Sequence, residues 1–375
     1  MKIVIAPDKF KDSLSAIQVC NALKKGIIKN FYEKDIISCP LADGGDGSLE
    51  TLNYYLDLKP ISLIVNDPLF RPIKSTYYLN NKTAYIELSS ASGLVLLKEE
   101  DRNCMLTSSF GTGELICDAL NKGIKNINLF IGGSATNDGG IGIASALGYK
   151  FYDASENLLS PIGKNLLLIN RIDKSKVKFN FNDIAVKVIC DVNNPLYGKS
   201  GAAYVYASQK GANSSQVQEL DKGLVNLESK LLQYNFPSIA DIPGAGAAGG
   251  VGGGSISFLN AKLISGIENF LKISRLEKII KDCDLIITGE GKLDSQTQYG
   301  KVISGVSNLA KKFNKSIIAV CGDADKGNYN ILGLKKVYKI LDKTDSKGNA
   351  MINAERYLVE IAEDISERLK KNYFY

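Results

Sequence analysis

Residues 126–149 read NINLFIGGSATNDGGIGIASALGY. Ile127, Leu129 and Ile131 alternate as a half-buried strand allows. Gly132 and Gly133 follow, then Ser134, Thr136, Asn137 and Asp138, then Gly139 and Gly140, and then small residues suited to a helix. Glycine turns the backbone tightly and leaves no Cβ in the way of a ligand. A helix starting at such a turn aims free N–H groups and a positive dipole end at it, which is how strand–loop–helix units hold anions. In a second reading Asn137 and Asp138 only cap that helix.

The same order recurs on either side. Lys2–Ala6 is a first apolar strand, followed by the polar loop Pro7–Ser13 and a helix whose Ser15 and Gln18 fit a capping box. Lys9 and Lys11 fall where parallel sheets present ligand groups, at a strand's carboxyl end. Ile36–Cys39 precedes LADGGDGSLE, in which Asp43 and Asp46 flank two glycines before a helix. Carboxylates on a glycine turn suit hydrated magnesium, although such residues also serve as turn and cap. Near the carboxyl terminus Asp284–Ile287 leads into a Gly289-Glu290-Gly291 turn with Lys292, Asp294, Thr297 and Lys301 beyond it. Neither a P-loop nor a dinucleotide fingerprint is present there. Ser316–Val320 and Lys336–Leu341 continue the alternation up to a last helix at about 354–370.

Between these ends the rhythm changes. ISLIVNDPL, STYYLNN and KTAYIEL are short strands joined by turns, which implies mixed pairing and a second domain. Val186–Cys190 is a later strand that delivers Asp191, Asn193 and Asn194, a group able to hold a hydroxyl and an ion. PGAGAAGGVGGGS, from Pro243, reads as a packed loop. One segment at about 267–282 reads as a helix. The expected architecture is α/β, with a doubly wound domain of about five parallel strands built from residues 1–60 and 276–375. Residues 61–275 form an inserted mixed α/β domain, and the glycine loops surround a cleft between the two.

Composition limits the chemistry. The 375 residues are 45% hydrophobic and 23% charged, ordinary for a globular chain. No apolar run reaches the roughly 20 residues that span a bilayer, and the amino terminus does not read as a signal peptide. The net charge of +6 is dispersed, with no basic block, so nucleic-acid binding is not expected. The seven scattered cysteines read as reduced residues of a cytoplasmic protein. Histidine is absent, so a proton acceptor must be found among Asp, Glu, Lys, Tyr and Cys.

APDKFKDSLSA, LADGGDGSLE, SSASGL, GTGELI, GGSATNDGGIGIASALG, CDVNNPL, QKGA, PGAGAAGGVGGG and ITGEGKLDSQTQYGK occur in this order. Together they resemble the bacterial type I glycerate kinases, densely to Lys301 and more loosely after it. Lys9-Phe10 departs from a Ser-Tyr pair in a related sequence, Asp46 from a Glu, and Gln298-Tyr299 from a pair that contains His in some relatives. The resemblance implies a discontinuous flavodoxin-like domain with a second domain inserted. It also implies transfer of phosphate from ATP, with Mg2+, to D-glycerate, giving 2-phosphoglycerate, in a monomer or homodimer.

Phosphoryl transfer needs positioning and charge neutralisation more than covalent chemistry. Asp191 and Lys11 are accordingly the catalytic candidates. Ser134, Asn137, Asn193 and Asn194 are candidates for the substrate. Gly289, Glu290, Gly291, Lys292 and Lys301 are candidates for the nucleotide, and Asp43 and Asp294, with Asp191 as a third, for magnesium. A catalytically silent nucleotide-binding regulator is the alternative, though Asp43, Asp191 and Asp294 are all retained. A dinucleotide-dependent dehydrogenase lacks its GxGxxG after the first strand.

Overall fold

The computed structural model describes residues 1–45, 47–294, 301–325 and 332–371. Strands β1 (Ile3–Pro7) and β2 (Ile36–Ser38) come first. They are followed by β3 (Lys59–Asn66), β4 (Pro72–Asn80), β5 (Thr83–Glu87), β6 (Asn126–Phe130), β7 (Lys150–Tyr152), β8 (Arg171–Asp173), β9 (Ala185–Ile189) and β10 (Lys262–Ile264). The last are β11 (Leu285–Leu293), β12 (Ser316–Ala324) and β13 (Val337–Lys339).

The chain divides into two compact units. One holds Met1–Asp43, Gly47–Leu56 and Ser265–Tyr375, and the other Gly44–Asp46 and Asp57–Ile264. Residues 44–46 and 57–60 thus group with the inserted unit and 265–275 with the discontinuous one.

In the discontinuous unit five parallel strands run in the order β13-β12-β11-β1-β2. Counted within the unit this is 2-1-3-4-5, the flavodoxin-like doubly wound order, with its switch point between β1 and β11. β1 is buried along its whole length, as a central parallel strand covered on both faces must be. Helix Ala16–Ile27 begins with the Ser15–Gln18 capping box. Its Gly26 lets the last helix, Ala354–Lys370, approach so closely that a Cβ would lie 2.5 Å from the Ala362 Cβ.

The inserted unit is built on a six-stranded mixed sheet, β10-β9-β6-β5-β4-β3. β10, β9, β6 and β5 are parallel, and the β3–β4 hairpin adds the antiparallel edge. Ile86, Leu129 and Val188, one from each of three adjacent strands, are fully buried beneath it.

Three expectations need correction. Gly289-Glu290-Gly291 is not a turn, because β11 runs on to Leu293 and pairs with β12. The glycines serve close approach there: a Cβ at Gly289 would sit 2.1 Å from the Val320 carbonyl. The stretch from Pro243 is a loop only in its first part: residues 243–246 form a turn, Ala248, Gly249 and Gly250 make a positive-φ kink, and the glycines from Val251 on belong to the helix that runs to Leu259. The single helix expected at 267–282 is two, Gly266–Ile273 and Leu276–Ile280, broken where Arg275 takes φ +54°. Among the described residues no helix is long and apolar enough to cross a membrane.

Candidate active site

In the inserted unit the site grows from the carboxyl ends of parallel strands β5, β6 and β9. The turn after β6 is built by its neighbours. Ala135 N–H donates to the Ser92 carbonyl, and Leu94 N–H to that of Gly133. The Thr107 hydroxyl donates to the Ala135 carbonyl at 2.9 Å.

The two readings of this turn divide between adjacent residues. Asp138, fully buried, is a cap in function. Its Oδ2 accepts from the Ser109 N–H (2.7 Å), the Ser109 hydroxyl (2.8 Å) and the Gly142 N–H (3.2 Å), and its Oδ1 from the Gly140 N–H at 3.1 Å. Its carboxylate therefore occupies the start of the short helix Ile141–Ala146, where an outside anion was expected. Burial raises its pKa, and these donors oppose the rise. Asn137 is equally buried, yet among the described residues neither its Nδ2 nor its Oδ1 has a hydrogen-bond partner. The Thr136 hydroxyl beside it is likewise buried without a partner among the described residues, and an unsatisfied buried polar group costs about 1–3 kcal/mol.

The Ser134 hydroxyl accepts from the Lys210 ammonium at 2.7 Å, and the Thr136 carbonyl accepts from the same ammonium at 2.8 Å. The glycine-rich helix covers the turn: the Gly139 N–H donates to the Gly249 carbonyl, and a Cβ at Gly249 would stand 2.1 Å from the Thr136 carbonyl. Asp191, half-buried, stands one residue beyond the end of the neighbouring β9, after Cys190. Asn193 is exposed. Asn194 braces its own loop, donating to the Ser200 carbonyl at 2.8 Å and accepting from the Tyr206 hydroxyl at 2.6 Å.

In the discontinuous unit a second constellation stands at the switch point. Asp8, at the end of β1, is 7% exposed. Burial pushes its carboxyl well above the usual range, and the charges of Asp43 and Glu290 push it further. The Lys9 N–H donates to Asp8 Oδ1 at 2.7 Å and opposes that rise, as does the Lys9 charge. Three carboxylates and one lysine therefore meet where doubly wound sheets bind ligands.

Lys11, preferred to Lys9 on sequence, is exposed, whereas Lys9 is half-buried beside Asp8. Lys292 pairs with Asp325 at 3.1 Å, and Lys301 with Asp294 at 3.8 Å. Asp46 and Thr297 lie outside the described residues. Sequence reading missed Asp8 and Lys210. Position after the first strand was the available signal for Asp8, and nothing local distinguishes Lys210.

Among the described residues no three acidic, cysteine or histidine side chains could hold a metal by themselves. Magnesium asks for less, one or two carboxylates together with phosphate oxygens and waters. The charges of Asp43 and Glu290 act on Asp8, and a dication held by one or two of these carboxylates would relieve that repulsion.

The chain matches the glycerate kinase family over residues 3–370. It is 40% identical over 373 residues to the glycerate 2-kinase of Escherichia coli K12, covering 98% of each chain. It is 39% identical over 368 residues to the glycerate kinase of Halalkalibacterium halodurans, covering 97% of each. A crystal structure from Salmonella typhimurium LT2, provisionally named glycerate kinase 2, superposes with TM-score 0.85 at 37% identity across the whole of both chains. The likeness runs the length of the chain in sequence and in fold, and the chain is a member of the glycerate kinase family.

Proposed function

We propose that the protein transfers the γ-phosphoryl group of ATP to D-glycerate, giving 2-phospho-D-glycerate. The observation that carries this reading is the kinship with a glycerate 2-kinase over 98% of both chains.

Each residue has a task in this reading. The Asn137 amide, with one donor and one acceptor face open, suits a hydroxyl or carboxylate of glycerate, and the Ser134 hydroxyl lies in the same turn. Asp191 orients the attacking hydroxyl and accepts its proton, a role that falls to a carboxylate in a chain without histidine. Asp43 and Asp8 would hold Mg2+ together with phosphate oxygens and water, and the ion would neutralise charge on those phosphates. Lys9, Lys292 near the end of β11 and Lys301 at the start of the helix Val302–Lys312 supply cations for the phosphates. Asp294 is assigned to Lys301 rather than to the metal, because the two already pair.

Purified protein with MgATP and D-glycerate should release ADP, and phosphorus NMR should identify the product as the 2-phosphate. No ADP release above background across pH and divalent metals overturns the activity. A 3-phosphate product overturns only the regiochemistry.

A further inference from the structure

We infer that Lys210 is a positioning residue for the glycerate-binding turn, fixing Ser134–Asn137 and lending it the positive charge that draws a small hydroxycarboxylate. This rests on the reading of that turn as the substrate site.

Lys210 is only 3% exposed. Its backbone is pinned, since the Cys104 N–H donates to the Lys210 carbonyl at 3.1 Å. The next residue, Gly211, takes φ +90° and passes so close to Arg102 that a Cβ would lie 1.9 Å from its carbonyl oxygen. From this fixed base the side chain reaches back 76 residues in sequence to the Ser134 hydroxyl and 74 to the Thr136 carbonyl. The ammonium has three N–H donors, and these two bonds hold the turn on both sides of Ala135. Asn137, with its unpartnered amide, is the next residue along.

A buried ammonium is costly unless an anion offsets it. Among the described residues Lys210 has no carboxylate in salt-bridge contact, and its two acceptors are neutral. Two titratable groups face it, the Cys104 thiol and the Asp138 carboxylate, and that carboxylate already accepts from four donors. The positive charge is thus undercompensated at a turn that also holds a buried amide with no partner among the described residues. A ligand carboxylate would complete the balance. Burial brings the ammonium down to about 8, so it is charged at neutral pH and loses its proton just above.

The test compares wild type with Lys210→Met and Lys210→Arg, measuring KM separately for D-glycerate and ATP from pH 6.5 to 9.5. Lys210→Met should raise KM for D-glycerate roughly 10- to 100-fold, the worth of one charge-assisted contact, and leave KM for ATP unchanged. Wild-type KM for D-glycerate should climb as pH passes about 8, and that rise should vanish in Lys210→Met. Lys210→Arg should recover part of the affinity and abolish the rise. A Lys210→Met enzyme that only loses stability, with both KM values kept, overturns the inference. If that variant does not fold, the wild-type profile decides: a flat KM for D-glycerate across pH 8 also overturns it. A wild type that never phosphorylates D-glycerate fails the activity itself, a different result from either.

Discussion

Gly249→Ala tests whether the glycine-rich segment is what holds the Ser134–Asp138 turn in shape. Gly249 sits at φ +69°, where an L-residue costs about 1–2 kcal/mol. The added Cβ would stand 2.1 Å from the Thr136 carbonyl oxygen and 2.5 Å from the Asn137 Cα. Both are backbone atoms and cannot swing aside, so overpacking adds about 1–3 kcal/mol. The sum is about 2–5 kcal/mol. At about 2–4 °C per kcal/mol for a domain of this size, Tm should fall by roughly 4–20 °C. The clash also pushes Asn137 off its position, and misplacement on the order of 1 Å costs about 100-fold in turnover. Gly123→Ala is the matched control. Its φ is +80°, and a Cβ there meets nothing within 4 Å. It should lose only the backbone cost of about 1–2 kcal/mol and keep its turnover. Calorimetry and an ADP-release assay with D-glycerate and MgATP read both quantities. If the two variants lose equal stability and equal turnover, the helix does not shape the site.

Asp138→Ala should destabilise by about 3–5 kcal/mol in denaturant titration, because it strips the acceptor from buried N–H groups of Ser109, Gly140 and Gly142; an unchanged midpoint would contradict its capping role. Asp8 has a raised pKa in the folded state, so its contribution to stability is complete below its unfolded value and is lost as pH rises through the raised one. The metal-free protein should therefore gain stability on acidification from neutral pH toward about 4, near the unperturbed carboxylate value, and Asp8→Asn should flatten that gain, raise Tm at neutral pH and lose turnover. A variant with the wild-type pH profile would rule this out. Asp191→Asn should cut turnover by roughly 10²- to 10⁴-fold with Tm nearly constant. Partial recovery in excess magnesium would assign Asp191 to the metal, and full turnover would remove it from the mechanism.

How far the sequence reaches is visible residue by residue. Buried parallel strands announce themselves as short apolar runs, so KIVIA and the run before TGEG mark the discontinuous sheet without any knowledge of their partners. Ser15 with Gln18 marks a helix start because a capping box is complete within four residues. The absence of histidine, and the ordered motifs that mark the family, are equally local facts.

Tertiary structure decided what depends on distant neighbours. Gly289-Glu290-Gly291 has turn composition, yet it is strand because β12 lies close enough to need the missing Cβ. Asn137 and Asp138 are near-identical in shape and adjacent in sequence. Ser109, some thirty residues away, makes one a cap, and the other is left with an open amide. Lys210 looks like a surface lysine in its own segment, and only a turn 76 residues earlier buries its charge. Local propensity acts over a few residues, whereas the burial of a polar group is set by whatever the folded chain brings against it.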